Sequence, residues 1–372
     1  MTDQLTTTRP APAVPRRARD GSRTTTAYAA QSKSAELAPF TFESRPLRPD
    51  DVAMEVLYCG VCHSDLHQVR NDWGGSIFPL VPGHEIIGRV TEVGAAVTRY
   101  KPGDAVAVGC MVDSCQHCRP CRLSEEQYCR EGMTATYSAY DRVDGQVTYG
   151  GYSKHLVARE AFVLRVPDGL DLSRAAPLLC AGITTYSPLR NWDVGPGTRV
   201  AVMGLGGLGH MAVKLASALG AVVTVISRSS SKTADAHALG AEHVLISTDA
   251  NAMAAAQSSF DLIIDTVPVD HPVGDYLPLL DLDGAMVLVG QIGAMGQPSS
   301  VPLVMGRRRL AGSLIGGIAQ TQELLDFCAR KNILPECELI SIQQINEAFE
   351  RMERSDVRYR FVIDMATLPA QS

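Results

Sequence analysis

Two different periodicities divide the chain. Between residues 52 and 166, apolar positions alternate or cluster briefly between glycines and prolines. Residues 52–58, 86–93, 105–108, 151–157 and 162–166 read as strands of a β-rich body, with turns at Gly94 and at residues 101–104. Residues 64–70 read as a short helix with Ser64 near its start. Beyond Leu178 short apolar runs alternate with helical stretches. Residues 197–204, 222–226, 244–246, 261–264, 285–289 and 310–315 read as strands. Residues 210–219, a stretch ending near Gly240 and residues 251–257 read as the helices between them. That alternation specifies a doubly wound parallel sheet. From Gln320 the pattern is helix, a strand at 338–340, an amphipathic helix at 345–353 and a strand at 360–363, most simply a return to the first body. The expected organisation is a tail over residues 1–25, a β-rich domain over 26–185, a nucleotide-binding domain over 186–318 and the return over 319–372. The tail is rich in Thr, Arg, Pro and Ala, reads as disordered, and lacks the apolar core of a secretory signal.

Composition changes the picture in two respects. The formal net charge of -6 supplies no basic field, and no apolar run reaches membrane-spanning length, so neither nucleic acid nor membrane is an expected partner. The chain has 10 cysteines, four of them in the pattern Cys115-x2-Cys118-x2-Cys121-x7-Cys129. That spacing is too tight for several unstrained disulfides and suits a closed, tetrahedral zinc site with structural duty. His117 lies inside this loop, but four thiolates already fill the shell. Thiols kept for metal imply a reducing compartment, the cytoplasm.

The remaining chemistry is concentrated in three places. Gly204, Leu205, Gly206, Gly207, Leu208 and Gly209 follow an expected strand and open an expected helix, the arrangement that brings backbone against a dinucleotide pyrophosphate. The next strand ends in Ser227, Arg228, Ser229 and, shortly after, Lys232, with no carboxylate for a ribose 2′-hydroxyl. Cations and hydroxyls there suit a 2′-phosphate, so the expected cofactor is NADP(H), not NAD(H). Finally, Cys62, flanked by His63, Ser64 and His67, and the pair His84-Glu85 behind Pro82-Gly83 offer Cys62, His84 and Glu85 as ligands for one metal ion. Ser64 and His67 stand where protons can pass to a group bound there. Cys59, Cys110, Cys180, Cys328 and Cys337, each taken alone, are small buried hydrophobes, and spacing does not assign Cys180 to the metal.

From about Tyr28 to Leu368 these motifs, with residues 179–188, 312–316 and 358–362, make the chain resemble the zinc-dependent medium-chain alcohol dehydrogenases. Within that family it resembles the cinnamyl-alcohol-dehydrogenase-like branch and its bacterial broad-range NADPH-dependent aldehyde reductases. The resemblance implies a GroES-like β-rich catalytic domain joined to a Rossmann domain, two zinc ions per chain, and a homodimer. It implies that Cys62, His84 and Cys180 hold the catalytic zinc, with Glu85 as an exchangeable fourth ligand, and that Cys115, Cys118, Cys121 and Cys129 hold the structural zinc. Ser64 and His67 would form the proton path. Thr184, Thr266, Gly290 and Ser313, Leu314 and Ile315 would flank the nicotinamide, and Ser227, Arg228 and Lys232 would bind the 2′-phosphate. The implied reaction is reversible reduction of aldehydes to primary alcohols, with zinc as Lewis acid and NADPH as hydride donor. Trp73, Cys110 and Tyr137 are expected walls of an apolar cleft for aromatic and medium aliphatic aldehydes, with Gln68 beside His67; Trp73 reads equally as a packed core residue. The alternatives are a dehydrogenase oxidising a sugar or secondary alcohol, and a zinc-stabilised binding protein without catalysis.

Overall fold

The computed structural model describes residues 21–290, 293 and 295–369. The reading of residues 1–20 as a disordered tail lies outside these. Thr24 and Thr25, which that reading also took in, belong to the strand Thr24–Ala29, paired antiparallel with Ala38–Glu43.

The β-rich body is a seven-stranded sheet. Its long central strand Asp51–Val61 pairs antiparallel with Ile86–Val93 on one side and with Arg360–Asp364 on the other. Cys337–Ser341 lies outside Arg360–Asp364, so the last stretch of the chain completes the sheet begun by the first. Val52, Met54, Val56, Ile86, Phe361 and Ile363 are fully enclosed in its core.

The second sheet has six parallel strands in the order His243–Ile246, Val222–Ser227, Arg199–Met203, Phe260–Asp265, Leu280–Leu288, Arg309–Gly312. Its residues divide by parity. Val200 and Val202, Leu262 and Ile264, and Ala285 and Val287 enter one core, while Ala201 and Met203, Ile263, and Met286 enter the core on the opposite face. A sheet covered on both faces needs apolar residues at every position, which is why these strands read as continuous apolar runs. The larger core also takes in Ile87, Ala107 and Leu164 of the first body, so the two sheets share packed interior.

The helix expected over 64–70 is His63–Arg70, with Ser64 near its start; its cap is Cys62, whose N–H donates to the Asp65 carboxylate at 3.0 Å and whose sulfur accepts from the Ser64 N–H. The strand expected over 310–315 stops at Gly312. Ile315 has φ 36°, a left-handed conformation that takes the chain out of the sheet.

Candidate active site

Three separated parts of the chain meet at one point. Ligand atoms of Cys62, His84, Glu85 and Cys180 all lie within 4.8 Å of one another. Cys62 follows the central strand, His84 and Glu85 precede Ile86–Val93, and Cys180 caps the helix Ala181–Asn191 that leads toward the parallel sheet. The Cys62 and Cys180 sulfurs are 3.8 Å apart and both thiols are free. A hydrogen bond from Cys180 and the nearby Arg360 cation hold Cys62 well below the usual thiol range despite burial. Two thiols, one imidazole and one carboxylate converging in a buried pocket fit zinc.

Asp65 organises this pocket, a role that no sequence motif assigns to it. It is fully buried. One carboxylate oxygen accepts from the Gly83 N–H at 3.0 Å and from His84 Nδ1 at 3.1 Å; the other accepts from Cys62 N–H and, at 3.4 Å, from the Tyr152 hydroxyl. Asp65 therefore fixes the His84 tautomer that leaves Nε2 for metal, and ties the two ligand segments together. Its signal in the sequence was its place three residues after a helix cap. Asp65→Asn should lower affinity for the catalytic zinc by about 10–100-fold. Competition with a chelator, read by metal analysis, checks this; loss of both zinc ions in parallel would mean general unfolding instead.

Arg360 is the second residue without a sequence-based role. It forms a buried ion pair with Glu85 Oε1. Burial pushes the Glu85 carboxyl up to about 7, against the opposing pull of Arg360. Ser64 is half-buried, with its hydroxyl 3.5 Å from the Cys62 sulfur. His67 lies one turn further along the same helix, its Nδ1 2.8 Å from Asp72, with its ring partly open to solvent. Trp73 is 40% exposed and its ring lies 5.1 Å from that of His67, so it is not packed in the core. Tyr137 is buried with its ring 5.9 Å from His84, and the Cys110 thiol donates to Leu179 O at 3.6 Å, beside Cys180. Gln68 accepts from the Ser76 hydroxyl at 2.9 Å. Cys59 and Cys328 are fully buried and belong to neither cysteine cluster, nor does the partly buried Cys337.

The carboxyl ends of the parallel strands face the same region. Gly204 to Gly209 join Arg199–Met203 to the helix Gly209–Ala218; a Cβ on Gly209 would lie 2.2 Å from Gly204 O, so only glycine closes this turn. A cleft beside it is lined by Leu205, Gly206, Gly207, Lys232, Arg358 and Tyr359. Backbone amides at a helix start with two cations opposite fit a phosphate-bearing cofactor. His210 stacks on Tyr359 at 4.9 Å, and burial lowers its pKa to about 3, so it adds no charge. Ser227 ends the next strand and Arg228, Ser229 and Lys232 follow it; residues 228–232 are exposed, and Lys232 donates to Leu205 O at 2.9 Å. Thr184 lies one turn after Cys180; Thr266 and Gly290 abut where Phe260–Asp265 and Leu280–Leu288 end, and Ser313, Leu314 and Ile315 leave the edge strand.

The second cluster gathers Cys115, Cys118, Cys121 and Cys129, again with sulfurs within 4.8 Å of one another. Backbone N–H groups of Cys115, Cys118 and Arg130 point at sulfurs of this set at 3.3–3.5 Å. Amides aimed at sulfur favour thiolates, and four thiolates with no open position fit a structural zinc.

Comparison with known proteins agrees with this geometry. Residues 48–168 match the alcohol dehydrogenase GroES-like domain and residues 207–330 match the zinc-binding dehydrogenase family. An NADP-dependent alcohol dehydrogenase C of Mycolicibacterium smegmatis is 54% identical over 93% of this chain and 99% of its own length. The aldehyde reductase YahK of Escherichia coli is 52% identical over 92% of this chain and 98% of its own. The crystal structure of CAD from Helicobacter pylori complexed with NADP(H) superposes with a TM-score of 0.86 at 41% identity, covering 93% of this chain and 99% of that one.

Proposed function

Because the chain belongs to the zinc-binding dehydrogenase family with an alcohol dehydrogenase GroES-like domain, we propose that it reduces aldehydes to primary alcohols with NADPH, reversibly, over a broad aromatic and aliphatic range. The observation that carries this reading is the convergence of Cys62, His84, Glu85 and Cys180 in one pocket, supported by the NADP dependence and aldehyde reductase activity in the names of its relatives. Zinc held by these four ligands supplies a Lewis acid for the carbonyl oxygen, and NADPH supplies the hydride.

The chain's own residues do the rest. Asp65 holds His84 in its ligating tautomer. Arg360 balances the charge of the buried Glu85, which gives that carboxylate a partner to withdraw to when substrate enters. Ser64 passes a proton to the nascent alcohol, and His67 replenishes it from solvent; Asp72 fixes the His67 ring through Nδ1 and leaves Nε2 for the transfer. Trp73, Cys110 and Tyr137 form the wall against which an apolar aldehyde packs. Gly204 to Gly209 receive the pyrophosphate, while Ser227, Arg228, Ser229 and Lys232 take the 2′-phosphate. Thr184, Thr266, Gly290 and Ser313 to Ile315 seat the nicotinamide. Cys115, Cys118, Cys121 and Cys129 hold the second zinc. Initial rates over a panel of aldehydes and alcohols test the direction: faster aldehyde reduction supports it, and turnover confined to alcohol oxidation would refute it.

Two wider features follow from the same reading. No helix among the described residues is long and apolar enough to cross a membrane, and we place the protein in the cytoplasm on the strength of its metal-suited thiols. We also read it as a homodimer joined at the edge strand Arg309–Gly312. The adjoining helix Val301–Gly306 exposes Val301, Val304 and Met305, the last at 80%. Met305→Glu should convert dimer to monomer in sedimentation velocity, with the fold retained by circular dichroism; an unchanged sedimentation coefficient would exclude this face.

A further inference from the structure

The four-cysteine loop reaches well beyond its own cluster. Just before Cys129, residues Glu126–Tyr128 form one turn of 3₁₀ helix. Both ends of that turn contact the segment following the edge strand. The Leu314 N–H donates to the Tyr128 hydroxyl at 3.0 Å, and the Ile318 N–H donates to Glu126 Oε2 at 3.0 Å. Ile318 begins the helix Ile318–Lys331, whose own cap residue Gly317 has no side chain to satisfy it. Glu126 thus caps this helix from another part of the chain, with its negative charge at the positive end of the helix dipole. Between the two hydrogen bonds the backbones touch: a Cβ on Gly317 would fall 1.7 Å from Ser124 O.

The segment so gripped is conformationally unusual. Ile315 is β-branched yet has φ 36°, a conformation that persists only where the surroundings impose it. Ser313 Oγ is buried and has no hydrogen-bond partner. A strained residue and an unpartnered buried hydroxyl two positions apart thus mark the segment that these hydrogen bonds grip.

We propose that the four-cysteine loop is a clamp on the nicotinamide end of the cofactor site, with Tyr128 and Glu126 as positioning residues. The proposal rests on the assignment of residues 313–315 to that end of NADP(H). The chain of contacts runs from Cys129, which would hold the structural zinc, through the turn it terminates, to the amides of Leu314 and Ile318 on either side of Ile315. Beyond bracing its own loop, the cluster thereby gains a direct hold on cofactor geometry.

The test uses the full-length protein with both zinc ions confirmed by metal analysis. In Glu126→Ala/Tyr128→Phe, amide hydrogen exchange over residues 314–318 should accelerate. The NADPH dissociation constant, from fluorescence titration, should rise about tenfold, as expected for two lost hydrogen bonds. Glu126→Gln retains an acceptor and should stay near wild type. Unchanged exchange and affinity with zinc retained would overturn the clamp. If the double variant does not fold, Tyr128→Phe alone should still accelerate exchange at Leu314 and weaken NADPH about threefold, and its failure to do so would overturn the clamp equally. Faster exchange at 314–318 with no change in NADPH affinity would sever the clamp from the cofactor. A wild-type chain that binds no NADPH would refute the functional reading itself, separately from the clamp.

Discussion

Cys180→Ala is expected to reduce aldehyde turnover by about three orders of magnitude while leaving NADPH affinity within about twofold. Lewis-acid stabilisation of a developing alkoxide is worth several kcal/mol, and each ~1.4 kcal/mol is a factor of ten in rate. Cys180 is the cleanest ligand to remove. Cys62 caps a helix and receives hydrogen bonds from it, and His84 is tied to Asp65, so truncating either disturbs the β-rich body as well. Cys180 caps the helix Ala181–Asn191 without any side-chain cap hydrogen bond. Zinc should fall from two ions to one per chain, because Cys115, Cys118, Cys121 and Cys129 belong to a separate cluster. Steady-state rates beside metal analysis check both numbers. Wild-type turnover with one zinc remaining would remove the catalytic ion from the mechanism.

Arg228→Ala is expected to cost about 10–100-fold in kcat/KM for NADPH and almost nothing for NADH. A charge-assisted hydrogen bond contributes about 1.5–3 kcal/mol, and only NADPH carries the phosphate that would accept one. Arg228 is preferable to Lys232 for this test. Lys232 also donates to Leu205 O, so its loss would disturb the glycine turn for both cofactors. Among the described residues the Arg228 side chain has no hydrogen bond or ion pair, and the residue is exposed at the end of its strand. Paired kinetics with the two cofactors provide the readout. Equal losses with both would show that Arg228 acts through the fold and not on the phosphate.

What could be read from the sequence follows what is local. The parallel sheet was legible because residues such as Val200 to Met203 are buried on both faces and leave an unbroken apolar run. The helix Ile345–Glu353 was legible to the residue because one face is buried and the other polar. Cys115 to Cys129 stood out because all four ligands sit in one short loop. Cys180 did not, since the fold brings it to Cys62 across 118 positions; only the family resemblance supplied it. Arg360 was invisible as a functional residue for the same reason, and the place of Asp65 three residues after a helix cap pointed to a capping role but not to His84. Their partners, His84 and Glu85, meet them only once the strands Asp51–Val61, Ile86–Val93 and Arg360–Asp364 are assembled. The end of the edge strand at Gly312 was missed because an apolar run continues through Ile315, and only its left-handed backbone shows that the ladder has ended.

Aldehyde reduction here depends on coupling a zinc centre to an NADPH site within one chain. The most direct measurement is the rate of reduction of one aromatic aldehyde by wild-type protein with NADPH and with NADH, taken as zinc is stepped out with a chelator and restored. A marked preference for NADPH, loss of activity as zinc leaves the site of Cys62, His84 and Cys180, and recovery when zinc returns are expected. Full activity in zinc-depleted protein, or equal rates with NADH, would contradict it.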